Sequence, residues 1–449
     1  MKVKTSNINP KAAIPVLLFS FVFCLVIDNG FKTMTGPMAS GLGINTNTAS
    51  LQASLAGVII GIGAVVYAAL SDSIPIRKLM LVGVGFIVVG SLLGFFFSSS
   101  WPMVLTGRII QTTGLAAAET LYVIYVRKHL KESDQKTYFG FSTAAYQSSM
   151  LIGALTSGIL STYVSWTFMF LVPLLVVFTV PFLLKNIPED EAVAGHLDAL
   201  GLFLIAVFAA SLTMYMQAFA WKWAVPGVLG LVAFIVHVMK SREPLVTPEF
   251  FRTGRYVWAI ILVFIVYSTY LGFIFMLPFA ASEFHGLGQD QTAYLMIPGY
   301  ICAIIVGIGS GAIGKVMSSR VAIITALAAI GGSLALCALF IKVSPIVLIV
   351  AIVFFASGFA LLYAPLVNTA LSTTPKVKSG IAIGFYNLII NISVPLGIAY
   401  TAKMQDLGLS YNAVLWVLAA IVAVGAGIYI VADRVMVGQE KRAGIVLNA

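Results

Sequence analysis

Apolar residues in this chain fall into repeated blocks of the same length, separated by short polar punctuation. Each block runs for about 17–25 residues, the length a helix needs to cross a hydrocarbon core of roughly 30 Å. The pattern predicts spans at about 12–36, 50–70, 79–98, 103–125, 138–160, 166–185, 199–219, 224–240, 256–278, 291–313, 320–341, 346–367, 379–401 and 412–433. Breaks fall at Gly, Pro, Ser and charge clusters, as turn chemistry requires. The shortest are the seventh and eighth spans, divided only by Trp221, Lys222, Trp223 and Ala224. No loop is long enough for a soluble domain.

Composition agrees with the pattern. Hydrophobic residues make up 60% and charged residues 9% of the 449, against roughly 25% charged in a soluble domain. The fold class is therefore an all-α polytopic membrane protein. The first apolar segment is too long for a cleaved signal peptide and is followed by further spans.

Charge then tests the count. The net charge is +10, and in such a chain the useful question is which loops hold the Lys and Arg. With the N-terminus inside, the cytoplasmic segments hold 21 of the 26 basic residues. The outer loops hold only Lys222, Lys342 and Lys403, while Lys32 and Arg108 fall within spans. This bias predicts both termini in the cytoplasm and an even number of spans. It gives the excess charge a topological role, with no nucleic-acid partner.

The polar residues inside the spans carry the candidate chemistry. A carboxylate within an apolar helix is costly and faces a protein interior or a wet cavity. Asp28 lies in the first span, with Lys32 one turn on. The fourth span places Arg108, Gln111, Thr112, Leu115, Glu119 and Tyr122 along one face. Counted at 1.5 Å per residue, Asp28 and Arg108 sit at a similar depth in the outer half, and Glu119 lies deeper. Asp28 thus has two candidate partners: Arg108 across the bundle, or Lys32 at i,i+4 on its own helix. A structural salt-bridge network is the plainer account of the same residues.

Burial penalises the charged form of an acid, and a cation beside it reverses the penalty. Asp28 and Glu119, with Arg108 in support, are therefore the candidates for proton coupling and recognition of substrate charge. Phe31, Tyr122, Tyr146, Gln147, Tyr270, Tyr386, Asn387 and Asn391 could line an apolar pocket, since aromatic faces attract cations. Ordinary core packing is the competing account of each one. Cys24, Cys302 and Cys337 show no CxxC spacing, and the four histidines form no cluster, so no metal site is expected. No catalytic His/Cys/Ser constellation argues for an enzyme. No GxxxxGK[ST] stretch provides an ATPase.

Two motifs resemble a known family. The loop after the second span, Ala68-Ala69-Leu70-Ser71-Asp72-Ser73-Ile74-Pro75-Ile76-Arg77-Lys78, resembles the major facilitator superfamily signature G-x-L-x-D-R-x-G-R-K. Ala68 and Pro75 stand where that signature has glycines. Arg108-Ile109-Ile110-Gln111-Thr112-Thr113-Gly114 resembles its R-x-x-Q-G-x-G signature. Asp28 with Thr35, Pro37 and Leu42, the stretch 195–201, Glu243-Pro244-Leu245-Val246 and the stretch 380–387 resemble the fourteen-helix drug:proton antiporters, a branch that includes Gram-positive tetracycline, norfloxacin and dye exporters. The antiporter motif of the fifth span is reduced to Gly153-Ala154-Leu155-Thr156-Ser157-Gly158. The second copy of the loop signature, near Gly314–Arg320, lacks its acid.

The resemblance implies a six-helix bundle over 1–190, two inserted helices within 191–250 and a second six-helix bundle over 251–449. A substrate cavity would lie between the bundles. It implies a proton-coupled efflux transporter for hydrophobic, mostly cationic drugs and dyes, resident in a bacterial cytoplasmic membrane. Such a protein would act as a monomer, use the proton gradient with no bound cofactor, and meet drugs, protons and lipids as partners. Asp72, Arg77 and Lys78 would form a gating loop, although a solvated turn explains them too. A narrow exporter of one metabolite, antibiotic or metal chelate, or a lipid flippase, would share the fold. Symport into the cell also stays open.

Overall fold

A computed structural model describes residues 10–130, 132–188, 198–241, 244, 254–372 and 379–442. Among them are fifteen α-helices and no strand. These are α1 (Ile14–Thr33), α2 (Thr35–Leu42), α3 (Thr46–Ser73), α4 (Ile76–Phe96), α5 (Trp101–His129), α6 (Glu132–Tyr163), α7 (Val180–Asn186), α8 (Ala199–Ala218), α9 (Trp221–Lys240), α10 (Gly254–His285), α11 (Gln289–Val316), α12 (Ser319–Phe340), α13 (Ile346–Leu371), α14 (Ser379–Asp406) and α15 (Tyr411–Arg442). Helices are the form expected in lipid, where every backbone polar group needs an internal partner. The chain is an all-α polytopic membrane protein, with thirteen described segments long and apolar enough to span. The fifth expected span falls within α6, where the side chains of 132–137 and 139–144 lie outside the described residues.

Two expected spans differ in detail. The first is interrupted at Met34, beyond which α2 continues. Pro37 lacks the N–H that would bond the Thr33 carbonyl, which breaks the ladder at this turn. The Phe31 carbonyl takes a tight turn bond from Met34 N at 3.1 Å. It takes a second from Gln52 Nε2 of α3 at 2.7 Å. The sixth span begins as two 3₁₀ stretches, Trp166–Phe170 and Val172–Thr179, and becomes α-helical only at α7. Pro173 and Pro181 stand at the starts of the second stretch and of α7, where a missing N–H is tolerated.

The chain divides into two units, 1–199 and 200–449. In the first, α5 packs on α4, α3 and α1, and α1 packs on α6. In the second, α10 packs on α14, α15 and α13, and α13 also packs on α12 and α11. The helices α8 and α9 form a hairpin in which Gly227 faces Ser211 and Gly230 faces Leu204 and Val207.

Glycines set the closest crossings, as small residues do where helices pack in lipid. A Cβ on Gly153 would lie 2.7 Å from the Val26 carbonyl oxygen and 2.8 Å from Gly30 N. A Cβ on Gly397 would overlap the Ser268 carbonyl oxygen and lie 2.6 Å from Gly272 N. The crossing of α4 with α5 brings Gly114 against the Gly83 carbonyl and Ile87. That of α12 with α13 brings Gly358 against the Ala326 carbonyl and Ile330. Gly153→Val or Gly397→Val is therefore expected to cost about 1–3 kcal/mol or more by forcing helices apart. Each should lower the melting temperature of the purified protein by several degrees. Gly427→Ala, whose added methyl meets nothing within 4 Å, should leave it unchanged.

Candidate functional site

Asp28 projects from the last two turns of α1 and is almost completely buried. Its two oxygens are divided between two cations. Arg108 Nη2 of α5 donates to Oδ1 at 3.1 Å, and Lys32 Nζ lies 2.5 Å from Oδ2. The two partners that the sequence leaves as rivals are both engaged. They approach from different sides, Lys32 from one turn along α1 and Arg108 from across the helix pair, so neither excludes the other.

Arg108 is fully buried and held by more than charge. Its Nη1 donates to Gln111 Oε1 at 2.6 Å, and Gln111 Nε2 donates to Ser91 Oγ of α4 at 2.9 Å. Its guanidinium carbon stands 4.2 Å from the centre of the Phe31 ring, a cation–π contact. Phe31 in turn packs edge-on against Phe170 at 4.9 Å. Lys32 also donates to Asn29 Oδ1 at 3.0 Å, and Asn29 Nδ2 donates to Ser149 Oγ of α6 at 2.9 Å. A chain of hydrogen bonds thus runs from α4 through α5 and α1 to α6.

Glu119 stands eleven residues beyond Arg108, about three turns along α5. It is partly buried. Its Oε1 is buried and has no hydrogen-bond partner among the described residues. It lies within Coulombic reach of Asp28, Lys32 and Cys24, and no cation sits in ion-pair contact with it among the described residues. The two acids differ sharply: Asp28 is compensated twice, whereas Glu119 has no contact cation.

The remaining candidates separate by burial. Phe31 and Tyr122 belong to the core of the first unit and do not line an open face. Tyr122 is fully buried, stacks on Phe21 at 5.0 Å and donates to the Tyr138 carbonyl at 2.9 Å. Tyr146 is half-buried on α6 within Coulombic reach of Lys32. Gln147 is buried next to it with Oε1 unpartnered among the described residues. In the second unit, Tyr270 is buried against Phe355 at 5.9 Å and Phe359 at 4.7 Å. Tyr386 is buried, Asn387 accepts a bond from Tyr363 at 3.2 Å, and Asn391 is partly exposed. In the first unit Asp28, Arg108 and Phe31 are joined directly, and in the second Tyr270 packs with Phe355 and Phe359 while Tyr386 packs edge-on against Tyr363.

The loop expected to gate is only partly described. The Asp72 side chain, residues 195–197, and Glu243, Leu245 and Val246 lie outside the described residues, as do the side chains of 380–384. Arg77 is partly buried and Lys78 exposed at the start of α4. The turn is clipped from another direction, by Lys128 Nζ of α5 donating to the Ser71 carbonyl at 2.8 Å. A cation placed at the carbonyl end of a helix is favoured by the macrodipole.

Sequence reasoning missed several partners. Asn29, Ser91, Ser149 and Gln52 are neutral residues whose roles depend on helix rotation. Asp433 stands at the end of the last expected span, where the sequence pattern does not single it out. It is buried on α15, 3.0 Å from Arg320 Nε of α12 and 4.0 Å from Arg255 Nη1 of α10. The second loop signature lacks its own acid, and its Arg320 pairs with Asp433.

The Major Facilitator Superfamily profile matches residues 17–398. The quinolone resistance protein NorB of Staphylococcus aureus (strain bovine RF122 / ET3-1) is 21% identical over 405 residues, covering 85% of this chain and 82% of that protein. The Bacillus subtilis MFS-type transporter YhcA is 23% identical over 323 residues, covering 69% of this chain and 60% of YhcA. For YwoD of the same organism the identity is 26%, with 53% of that protein covered. The chain thus spans little more than half the length of these two Bacillus relatives. Among solved structures, the POT family transporter PepTSo superposes with a TM-score of 0.72 at 13% identity, covering 94% of this chain and 97% of that one. The human organic anion transporter MFSD10 gives 0.63 at 13%, covering 93% and 99%. The profile match over most of the chain, on a framework of membrane-spanning helices with charged residues buried between them, shows that this protein belongs to the Major Facilitator Superfamily.

Proposed function

We propose that this transporter is a drug:proton antiporter of the bacterial cytoplasmic membrane, exporting hydrophobic, mostly cationic drugs and dyes in exchange for protons. One observation supports the reading: the carboxyl of Glu119, with no contact cation among the described residues, lies within Coulombic reach of a compensated Asp28. An ionised carboxylate with a buried, unpartnered oxygen is costly, and either a proton or a cation relieves it. The two ligands are therefore mutually exclusive at Glu119, which is the requirement for exchange. Asp28, Lys32 and Arg108 together contribute one positive charge. With Glu119 protonated the four groups sum to +1. With Glu119 ionised and a monovalent cation bound they also sum to +1. The helices would rearrange around the same charge in both directions of the cycle.

Asp28 then recognises no substrate directly. It holds Arg108 and Lys32 in place, and through them sets the potential at Glu119. The distant NorB relatives, named for quinolone resistance, are in keeping with a drug substrate. The test is dye movement in inverted membrane vesicles with an imposed pH gradient, acid inside. Uptake of a cationic dye that collapses with the gradient is expected. No movement of any cationic dye, with or without the gradient, would sink the proposal.

A further inference from the structure

We infer that Lys32 limits the charge of the substrate, holding the site to a single positive charge and turning away dications. The inference rests on the reading of Glu119 as the exchange group, and it concerns a residue to which that reading gives only a supporting part. Arg108 is sealed: fully buried, bonded to Asp28 and Gln111, and covered by Phe31. Lys32 differs. Its side chain keeps 11% of its surface exposed, against 0% for Arg108 and 2% for Asp28. Its ammonium has three donors, with two directed at Asp28 and Asn29.

Lys32 also lies within Coulombic reach of Glu119 and Tyr146, both only partly buried. It is a cation tethered to Asp28 and Asn29 whose field reaches the exchange carboxyl. A monovalent substrate cation at Glu119 meets one carboxylate and the residual field of Lys32. A second positive charge on the substrate has no acid left to meet, because both oxygens of Asp28 are taken. It meets Lys32 instead, in a setting where charges interact far more strongly than in water. Without Lys32 the four-group sum with Glu119 ionised falls from zero to −1, and a dication then brings it to the same +1 that a monocation gives in the native protein.

The experiment measures binding to the purified full-length protein at alkaline pH, by fluorescence anisotropy. It uses a monoquaternary and a bisquaternary ammonium dye built on one aromatic core. The wild type is expected to bind the monocation at least about tenfold more tightly. Lys32→Met and Lys32→Gln should each shift the preference toward the dication by about tenfold or more, and Lys32→Arg should keep the native preference. Gln retains a donor for Asp28 and Asn29, and serves where Met fails to fold. Equal binding of the two dyes by the wild type overturns the inference without any variant. So does an unchanged preference in the Met and Gln proteins, or an Arg protein that shifts as far as they do. A wild type that binds neither dye overturns the antiporter proposal along with it, whereas the other failures leave that proposal standing.

Discussion

Glu119→Gln is expected to abolish gradient-driven efflux while leaving the protein folded. Glutamine matches glutamate in shape but can neither release a proton nor carry a charge. Among the described residues Glu119 makes no ion pair that the change would break, and its buried Oε1 has no hydrogen-bond partner to lose. The variant should therefore melt within a few degrees of the wild type. Loss of a group that transfers the proton lowers the coupled rate by at least about a hundredfold on the scale usual for acid–base groups. The measurements are vesicle dye transport under a pH gradient and thermal unfolding of the purified protein. A folded Glu119→Gln protein that still concentrates dye at the native rate would remove Glu119 from the mechanism.

The second large effect is of the opposite kind. Asp28→Asn should damage the fold before it damages transport. The substitution leaves Arg108 and Lys32 buried without the carboxylate that compensates both. Removing one partner of a buried ion pair costs about 3–5 kcal/mol, because the other charge stays behind. The purified variant should melt well below the wild type or fail to accumulate in the membrane. Adding Arg108→Gln to Asp28→Asn should recover part of the loss, since it withdraws one stranded charge. The coupling in a double-mutant cycle measures the pair itself. If Asp28→Asn alone is as stable as the native protein, the compensation drawn between these helices is wrong. Together the two substitutions separate a residue that turns over from one that holds the others in place.

Much of this arrangement follows from residue pattern and length alone. Span length locates the apolar helices, and counting depth along the first and fourth spans places Asp28 level with Arg108, the pair that the structure joins. What depth cannot give is rotation. Whether Asp28 turns to Lys32 or to Arg108 depends on which faces of α1 and α5 oppose each other, and helices that are apolar nearly all round carry little amphipathic signal to fix that. The same limit applies to Phe31 and Tyr122, both buried in the core of the first unit, since an aromatic side chain in a buried helix reads alike whether it meets a cavity or a neighbour. Gln52 was hidden for another reason. Its partner is a backbone carbonyl exposed by the break near Pro37, and the break becomes a binding opportunity only when α3 lies alongside.

The glycine crossings carry one more consequence. Gly30 and Gly153 in the first unit stand where Gly272 and Gly397 stand in the second, and Gly114 corresponds to Gly358. Counting from these anchors aligns the two units residue by residue. Ser149 and Ser393 each precede their glycine by four, and Gln147 and Asn391 each precede it by six. On the same count Asp28 falls on Tyr270, Lys32 on Ile274, Arg108 on Ile352, Gln111 on Phe355 and Glu119 on Tyr363. The second unit repeats the framework and carries none of the charges, and three of the five positions are aromatic. At these counted positions the first unit is ionic or amide-bearing and the second largely aromatic. On the antiporter reading proposed above, substitutions at the ionic positions of the first unit and at the aromatic positions of the second are expected to act separately.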